Sequence, residues 1–295
     1  AIMLSHFHEA KTLLGTATPS IESYFNAQKG KYGLVEMLER YQNIKMPEIA
    51  IANVWDARRK KKMKSLFTPE LYDHVKNSLE NNEQVILFQN RRGFSPYIEC
   101  STCGWIPYCK NCDVALTYHK KINRLICHYC GFSFSDLKTC KACGNPSLET
   151  RGFGTEKIED EIQILFPEAS IARMDLDTTR AKHAYENIIY EFERKKIDIL
   201  VGTQMITKGL DFENVNLVGI LNADNMLNFP DFRAHERSFQ LMAQVSGRAG
   251  RKYKQGKVII QTSHPKHPII KYVLNNNFNS MYTTQIEERK KFNYP

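Results

Sequence analysis

The sequence predicts an α/β fold: a parallel sheet with helices on both faces, broken once by a small Cys-rich inserted domain. Two observations carry that reading. Short apolar strands alternate with amphipathic helical stretches, the order expected of strand–helix–strand crossovers. Between two of those strands the alternation stops, and all 8 cysteines fall in the gap, from Cys100 to Cys143.

The strand candidates, in order, are Thr12–Leu14, Val85–Phe88, Ile171–Arg173, Ile197–Val201, Leu217–Leu221 and Val258–Gln261. Each is a short apolar run bounded by polar or turn residues. Ile158, Ile162, Leu165 and Phe166 recur at helical spacing after Thr155, which suits an N-cap. Tyr185–Arg194 and Arg233–Val245 also have helical periodicity. There is no internal repeat beyond the cysteine pairs and no low-complexity tract.

Every cysteine belongs to a C-x-x-C pair: Cys100/Cys103, Cys109/Cys112, Cys127/Cys130 and Cys140/Cys143. Two thiolates at this spacing can turn back onto one metal ion, and two pairs close a tetrahedral site. Two structural zinc ions in a zinc-ribbon domain are therefore expected. Gly104, Gly131 and Gly144 follow three of the pairs, where a tight knuckle requires positive φ. Tandem pairs and the lack of a secretion signal argue against disulfides. A redox dithiol comes as a single pair. Iron–sulfur ligation is the competing metal reading. Spacing leaves the pairing open: the first pair joins the second (local), or the first joins the last (nested).

At 295 residues, 42% of them hydrophobic, the chain can bury one large or two medium cores. Lys+Arg of 41 against Asp+Glu of 32 gives a net charge of +9. Such an excess favours an anionic partner, nucleic acid above all, although ordinary surface chemistry gives the same sum. Residues 58–64, RRKKKMK, are either a solvated loop or a DNA-contacting one. No apolar run approaches the roughly 18–20 residues that span a bilayer, so no membrane is expected. No signal peptide is visible, and a cytoplasmic location is expected. The text begins mid-flow at Ala1, as a fragment of a longer protein would.

Four strings carry chemistry. Gln244-Val-Ser-Gly-Arg-Ala-Gly-Arg251 sets two arginines among small residues, which suits the transition-state charge of a γ-phosphate. In Ile199-Leu-Val-Gly-Thr-Gln-Met-Ile-Thr-Lys-Gly-Leu-Asp211 a buried strand ends in a polar segment, where functional residues of open α/β sheets gather. Leu14-Gly-Thr-Ala-Thr-Pro-Ser20 is weaker alone, a turn of small hydroxyl residues. Val85-Ile-Leu-Phe-Gln-Asn-Arg-Arg-Gly93 empties a strand into an Arg-Arg-Gly turn.

In this order the strings resemble the late motifs of superfamily 2 helicases. GTATPS is similar to the motif that couples ATP hydrolysis to DNA, GTQMITKGLDF to the fifth motif and QVSGRAGR to the sixth. The cysteine insertion after FQNRRGF narrows the resemblance to the bacterial helicases that restart stalled replication forks. Gly154-Thr-Glu156, Arg173 to Thr178, Asp224, Asp231 to Arg237, Glu288-Arg289 and Tyr294-Pro295 fit as well, so the resemblance covers essentially the whole chain.

The resemblance implies a RecA-like parallel-sheet helicase lobe. Residues 1–45 would be the remnant of lobe 1 and 46–99 the start of lobe 2. Residues 100–145 would form the double zinc insertion, 146–270 the rest of lobe 2 and 271–295 the start of a C-terminal domain. It implies an ATP- and Mg²⁺-dependent motor that unwinds DNA 3′→5′, favouring branched forks, with replication forks, D-loops and single-stranded DNA as its partners. Arg248, Arg251 and Gln244 would serve catalysis. Gly15, Thr16, Thr18, Thr203, Gln204, Lys208 and Asp211 would couple ATP to DNA, and Arg91, Arg92 and Lys208 would touch DNA. Nested zinc pairing is what the resemblance suggests. The insertion would dock primosome proteins, with single-stranded DNA-binding protein as a further partner of a monomeric, nucleoid-associated enzyme. Trp105, Phe132 and Phe134 would stack on bases or fill the ribbon's small core.

The phosphate-gripping G-x-x-x-x-G-K-[ST] is missing. Gly250 to Gly256-Lys257-Val258 has one residue too many and Val in place of the hydroxyl. Asp160-Glu-Ile-Gln163 lies inside a helical pattern rather than at a strand end, so it is not the metal motif. The fragment is therefore expected to bind two zinc ions without hydrolysing ATP at a useful rate. A non-catalytic zinc-ribbon adaptor on a helicase-like lobe is the alternative, which the paired arginines disfavour. The four pairs after RRGF weigh against RecQ-like or RecG-like motors.

Overall fold

The computed structural model describes residues 2–37, 45–90, 97–119, 124–135, 138–151, 155–175, 178–179, 181, 183–207, 212–250 and 255–294. Contacts divide the chain into two units, Ala1–Glu36 and Met37–Pro295.

The first unit holds helices α1 (Ile2–Phe7) and α2 (Ile21–Gln28). Ser20 caps α2 by accepting a hydrogen bond from the Ser23 amide at 3.2 Å. The expected strand Thr12–Leu14 does not form; the segment is irregular. A strand needs a ladder partner, and this unit has no other strand among its described residues. Leu13, 97% exposed, shows that apolarity alone misled.

The second unit opens with β1 (Glu48–Asn53), α3 (Val54–Arg59), α4 (Pro69–Glu80) and β2 (Gln84–Phe88). The insertion follows, with β3 (Tyr97–Cys100), β4 (Thr117–His119), β5 (Arg124–Ile126), β6 (Ser133–Phe134) and β7 (Leu148–Arg151). The crossover pattern then resumes through α5 (Thr155–Leu165), β8 (Ile171–Met174), α6 (Ala184–Glu193) and β9 (Ile199–Gly202). A 3₁₀ turn, Gln204–Thr207, leads to β10 (Val215–Ile220), α7 (Asp224–Leu227) and α8 (Ala234–Ser246). The unit ends with β11 (Lys257–Thr262), α9 (Pro268–Leu274) and α10 (Phe278–Lys291). Thr155, expected just outside its helix, is instead the first helical residue.

Six strands form one sheet in the order β1-β11-β10-β2-β9-β8, and every pairing is parallel. Central strands are buried on both faces, which is why they are continuous apolar runs. On one face Val85, Leu87, Val201, Leu217 and Ile259 pack with Leu71 and Val75 of α4 and Ile158 and Ile162 of α5. Gly219 permits this approach: a Cβ there would stand 2.7 Å from Leu87 Cδ2 and 2.9 Å from Leu71 Cδ1. Thr68 caps α4 and Pro69 occupies its first turn. Buried glutamines tie the connections. The Gln84 amide donates to the Phe192 and Ile197 carbonyls at 2.6 and 2.7 Å. The Gln261 amide donates to Leu66 and Leu221 carbonyls, both at 3.0 Å.

Arg289 on α10 lies 2.6 Å from Glu236 on α8, with side chains 6% and 3% exposed. Its guanidinium also lies 5.1 Å from the Phe232 ring centroid. Removing one partner strands a buried charge, whereas replacing both with apolar groups does not. Arg289→Ala is expected to cost about 3–5 kcal/mol in urea unfolding, and Glu236→Leu with Arg289→Met far less.

Candidate zinc centres and the arginine motif

The insertion leaves the carboxyl end of β2 and returns into α5 through β3 and β7, an antiparallel pair in which Cys100 faces Leu148. A second antiparallel sheet, β4-β5-β6, lies between them in sequence. Ile98, Val114, Leu116 and Leu125 make its small core together with Cys109 and Cys127. Phe132 and Phe134 pack against that core, so the core role holds for both. Trp105 instead lines a cavity of about 400 Å³ with Ile106, Tyr108, Leu227, His264 and His267.

The cysteines gather in two sets, Cys100/Cys103/Cys140/Cys143 and Cys109/Cys112/Cys127/Cys130, with the sulfurs of each set within 4.8 Å of one another. This is the nested pairing. Sulfur separations are 3.7 Å for Cys100–Cys143, 3.6 Å for Cys103–Cys140 and 3.5 Å for Cys109–Cys130. A tetrahedron with Zn–S of about 2.3 Å has edges of about 3.8 Å, so each set fits one zinc ion. Four thiolates close the coordination shell, which makes both sites structural.

Each pair adopts the same knuckle. The amide after the second cysteine donates to the carbonyl of the first: Gly104 to Cys100 at 2.9 Å, Gly131 to Cys127 at 3.0 Å and Gly144 to Cys140 at 2.8 Å. The fourth knuckle uses Asp113, whose amide donates to the Cys109 carbonyl at 3.0 Å. Its φ of 51° matches the glycines' 72° to 75° in sign. In the sequence this knuckle is unmarked, because Asp113 stands where the other three pairs have glycine. Aspartate is among the residues that tolerate this conformation.

Knuckle carbonyls also anchor the insertion to the lobe. The Trp55 indole donates to Thr102 O at 3.2 Å, and the Tyr294 hydroxyl to Cys112 O at 3.0 Å. His264 Nε2 lies 3.1 Å from Gly104 O. The other ring nitrogen faces Asp224 at 3.5 Å, and Asp224 further accepts from Thr262 Oγ1 at 2.5 Å and the Ser263 amide at 2.7 Å. Burial pushes the Asp224 carboxyl up, but hydrogen bonds from His264, Thr262 and Ser263 outweigh it and hold the carboxyl below its usual range. The Asp224 bond raises His264 against its own desolvation. Two further contacts join the halves: Tyr108 hydroxyl to Asn228 Oδ1 at 2.6 Å, and the Phe232 amide to the Tyr129 hydroxyl at 3.2 Å.

The chemical strings meet elsewhere. Thr203 follows β9, with its amide donating to Met174 O at 3.3 Å. Gln204 Nε2 donates to Asn90 Oδ1 at 3.2 Å, joining this segment to the end of the β2 string. Arg248 Nη2 donates to Thr207 O at 2.6 Å, so the fifth-motif and sixth-motif strings touch. Gln244 sits four residues before Arg248, in the last turns of α8. Gly250, at φ 64°, donates its amide to Val215 O at 2.9 Å. Gly256 lies so close that a Cβ would stand 2.3 Å from the Gly250 nitrogen. The contact residues Asn90, Thr207 and Gly256 were not foreseen as such; Asn90 and Thr207 lie inside motif strings, but nothing in the strings marks a contact. Gly15, Thr16 and Thr18 belong to the first unit, where the Thr18 amide donates to Thr16 Oγ1 at 3.1 Å. Arg91, Arg92, Lys208, Asp211 and Arg251 lie outside the described residues.

Residues 109–133 match the PriA DNA helicase Cys-rich region domain, and residues 153–253 the helicase conserved C-terminal domain. Replication restart protein PriA of Bacillus subtilis (strain 168) is 42% identical over 295 residues, which is 100% of this chain and 36% of that protein. The chain is a homologue of PriA over its full length. PriA of Chlamydia pneumoniae is 41% identical over 297 residues, covering 100% of this chain and 40% of the relative. The chain thus spans well under half the length of these PriA relatives. The solved structure of RecG bound to a three-way DNA junction matches with a TM-score of 0.52 at 13% identity, over 95% of this chain and 27% of that one. That likeness bears out the RecA-like lobe. No helix among the described residues is long and apolar enough to cross a membrane.

Elemental analysis is expected to return two zinc ions per chain and no iron, from colourless protein; Cys112→Ser should hold one ion firmly. Iron with visible absorption would exclude the zinc reading. The raised pKa of His264 sets a pH dependence. Its stabilisation is complete below the unfolded-state value of about 6.5 and is lost as pH rises through the folded value. The depressed Asp224 contributes above its unfolded value and loses that contribution as pH falls through the folded one. The unfolding free-energy difference between wild type and His264→Gln should therefore shrink as pH rises above the unfolded-state value of about 6.5 and through the raised folded value. A constant difference would remove the charge from this account.

Proposed function

We propose that this chain is the motor segment of an ATP-dependent DNA helicase that acts 3′→5′ at stalled or branched replication forks and loads the primosome for restart. The observation that carries the reading is the Arg248–Thr207 bond, which brings the arginine motif onto the strand-end segment. Support comes from the whole-length similarity to proteins named replication restart protein PriA. It comes also from a RecG neighbour whose structure was solved on a three-way DNA junction.

In this reading ATP and Mg²⁺ bind between two lobes. Residues 46–99 and 146–270 form lobe 2, 1–45 end lobe 1, 100–145 are the zinc insertion and 271–295 begin the next domain. Arg248 stabilises charge on the transferring phosphoryl group, with Arg251 and Gln244 beside it. Moving Arg248 off a backbone carbonyl and onto a phosphate would displace Thr207. That displacement is the route by which nucleotide state reaches Thr203, Gln204, Lys208 and Asp211. Gly15, Thr16 and Thr18 do the same from lobe 1, and Arg91, Arg92 and Lys208 hold DNA phosphates. ATP turnover belongs to the longer protein, because this sequence has no phosphate loop. Primosome proteins and single-stranded DNA-binding protein are the proposed partners of a monomer in the bacterial cytoplasm, at the nucleoid.

Arg248→Ala in the full-length protein should lower DNA-stimulated ATP turnover by about 10³-fold or more. DNA affinity and zinc content should stay near wild type. A loss of under about tenfold would take Arg248 out of the phosphate site.

A further inference from the structure

The basic run 58–64 has no role in the reading above. It closes α3, which follows the carboxyl end of β1. The Lys61 amide donates to Arg58 O and the Lys62 amide to Ala57 O, both at 2.9 Å. These two bonds define a helix-ending loop whose turning residue, here Lys61 at φ 54°, is usually glycine. Lys64 and Phe67 then exchange amide-to-carbonyl bonds, both 2.9 Å. The turn is held in one shape, not frayed.

Arg58 to Lys62 and Lys64 are all exposed. Asp56 lies 3.6 Å from Arg59, while Lys60, Lys61 and Lys62 have no acidic partner among the described residues. Arg59 lies over the Trp55 ring at 4.7 Å, and Trp55 is the residue bonded to Thr102 in the first knuckle. The run is thus braced against the zinc insertion.

Cations at a helix C-terminus answer about half an elementary charge. That accounts for Lys195, which ends α6 in the same left-handed conformation. It does not account for six cations within seven residues, two ending a helix of 6 residues and four following it. Their mutual repulsion favours an anion held nearby. A lysine at a glycine position keeps a charge there at a conformational cost.

We propose that the turn after α3 is a DNA phosphate-backbone site, with Lys60, Lys61 and Lys62 as its contacts, beside the first zinc knuckle. The proposal rests on the DNA-helicase reading. Such contacts are ionic and sequence-independent, and each one releases counterions from the strand.

The test is fluorescence anisotropy of a labelled single-stranded oligonucleotide with the full chain across a series of salt concentrations. Each phosphate contact contributes about 0.7 to the slope of log K against log salt. The Lys60→Gln/Lys61→Gln/Lys62→Gln variant should therefore show a slope shallower by about 2. Lys61→Gly should lose about 0.7 of slope while its Tm rises, which a folding defect cannot imitate. An unchanged slope in a triple variant with normal zinc content and Tm overturns the proposal. So does an unchanged slope together with lost binding to polyglutamate, which would identify an acidic protein partner. If the wild type fails to bind DNA at low salt, the DNA-helicase reading falls and the proposal with it.

Discussion

A parallel sheet has direction, and the rest of this structure depends on it. Because every strand pairing is parallel, the carboxyl ends share one edge. The insertion leaves from β2 at that edge. Trp55 follows β1, Asn228 follows β10 and His264 follows β11, so three separate connections deliver side chains to the insertion. Helix α8 then carries the chain on to the arginine motif, whose Gly250 is bonded to the first residue of β10, at the amino edge. The arginine motif therefore spans from the amino edge, through Gly250, to the segment that follows the carboxyl end of β9, through Arg248.

The insertion itself has too small an apolar core to fold on burial alone. Structural zinc contributes about 10–16 kcal/mol of apparent binding free energy to small domains, and that energy becomes folding energy. Here the same knuckles supply the docking carbonyls of Thr102, Gly104 and Cys112. Metal, local backbone and attachment to the lobe are thus coupled through the same few peptide units.

Much of this was legible in the sequence, for identifiable reasons. Strands β2, β9, β10 and β11 are buried on both faces and stand out as apolar runs. Strand β1 lies at the sheet edge with an exposed Glu48 and was passed over. Thr12–Leu14 has the composition of a strand but no partner to pair with. The cysteine spacing fixed the ligands but not their pairing, because local and nested arrangements have the same pairs; the β3–β7 ladder decides it. His264 and Tyr294 meet the insertion across 160 and 182 residues of chain, a relation no local pattern encodes.

The nesting of the two centres implies an order of assembly. Cys109 and Cys130 are separated by 21 residues of chain, Cys100 and Cys143 by 43. Closing the longer loop first costs only about 0.6 kcal/mol more, so length alone is a weak bias. Once the inner ion is bound, however, the outer cysteines are separated by a compact knot instead of a free chain, and the second closure is nearly prepaid. The apo chain would then load its metals one after the other, from the inside outward. A half-loaded species would carry its ion in the inner set and leave the strands that lead back to the lobe untied.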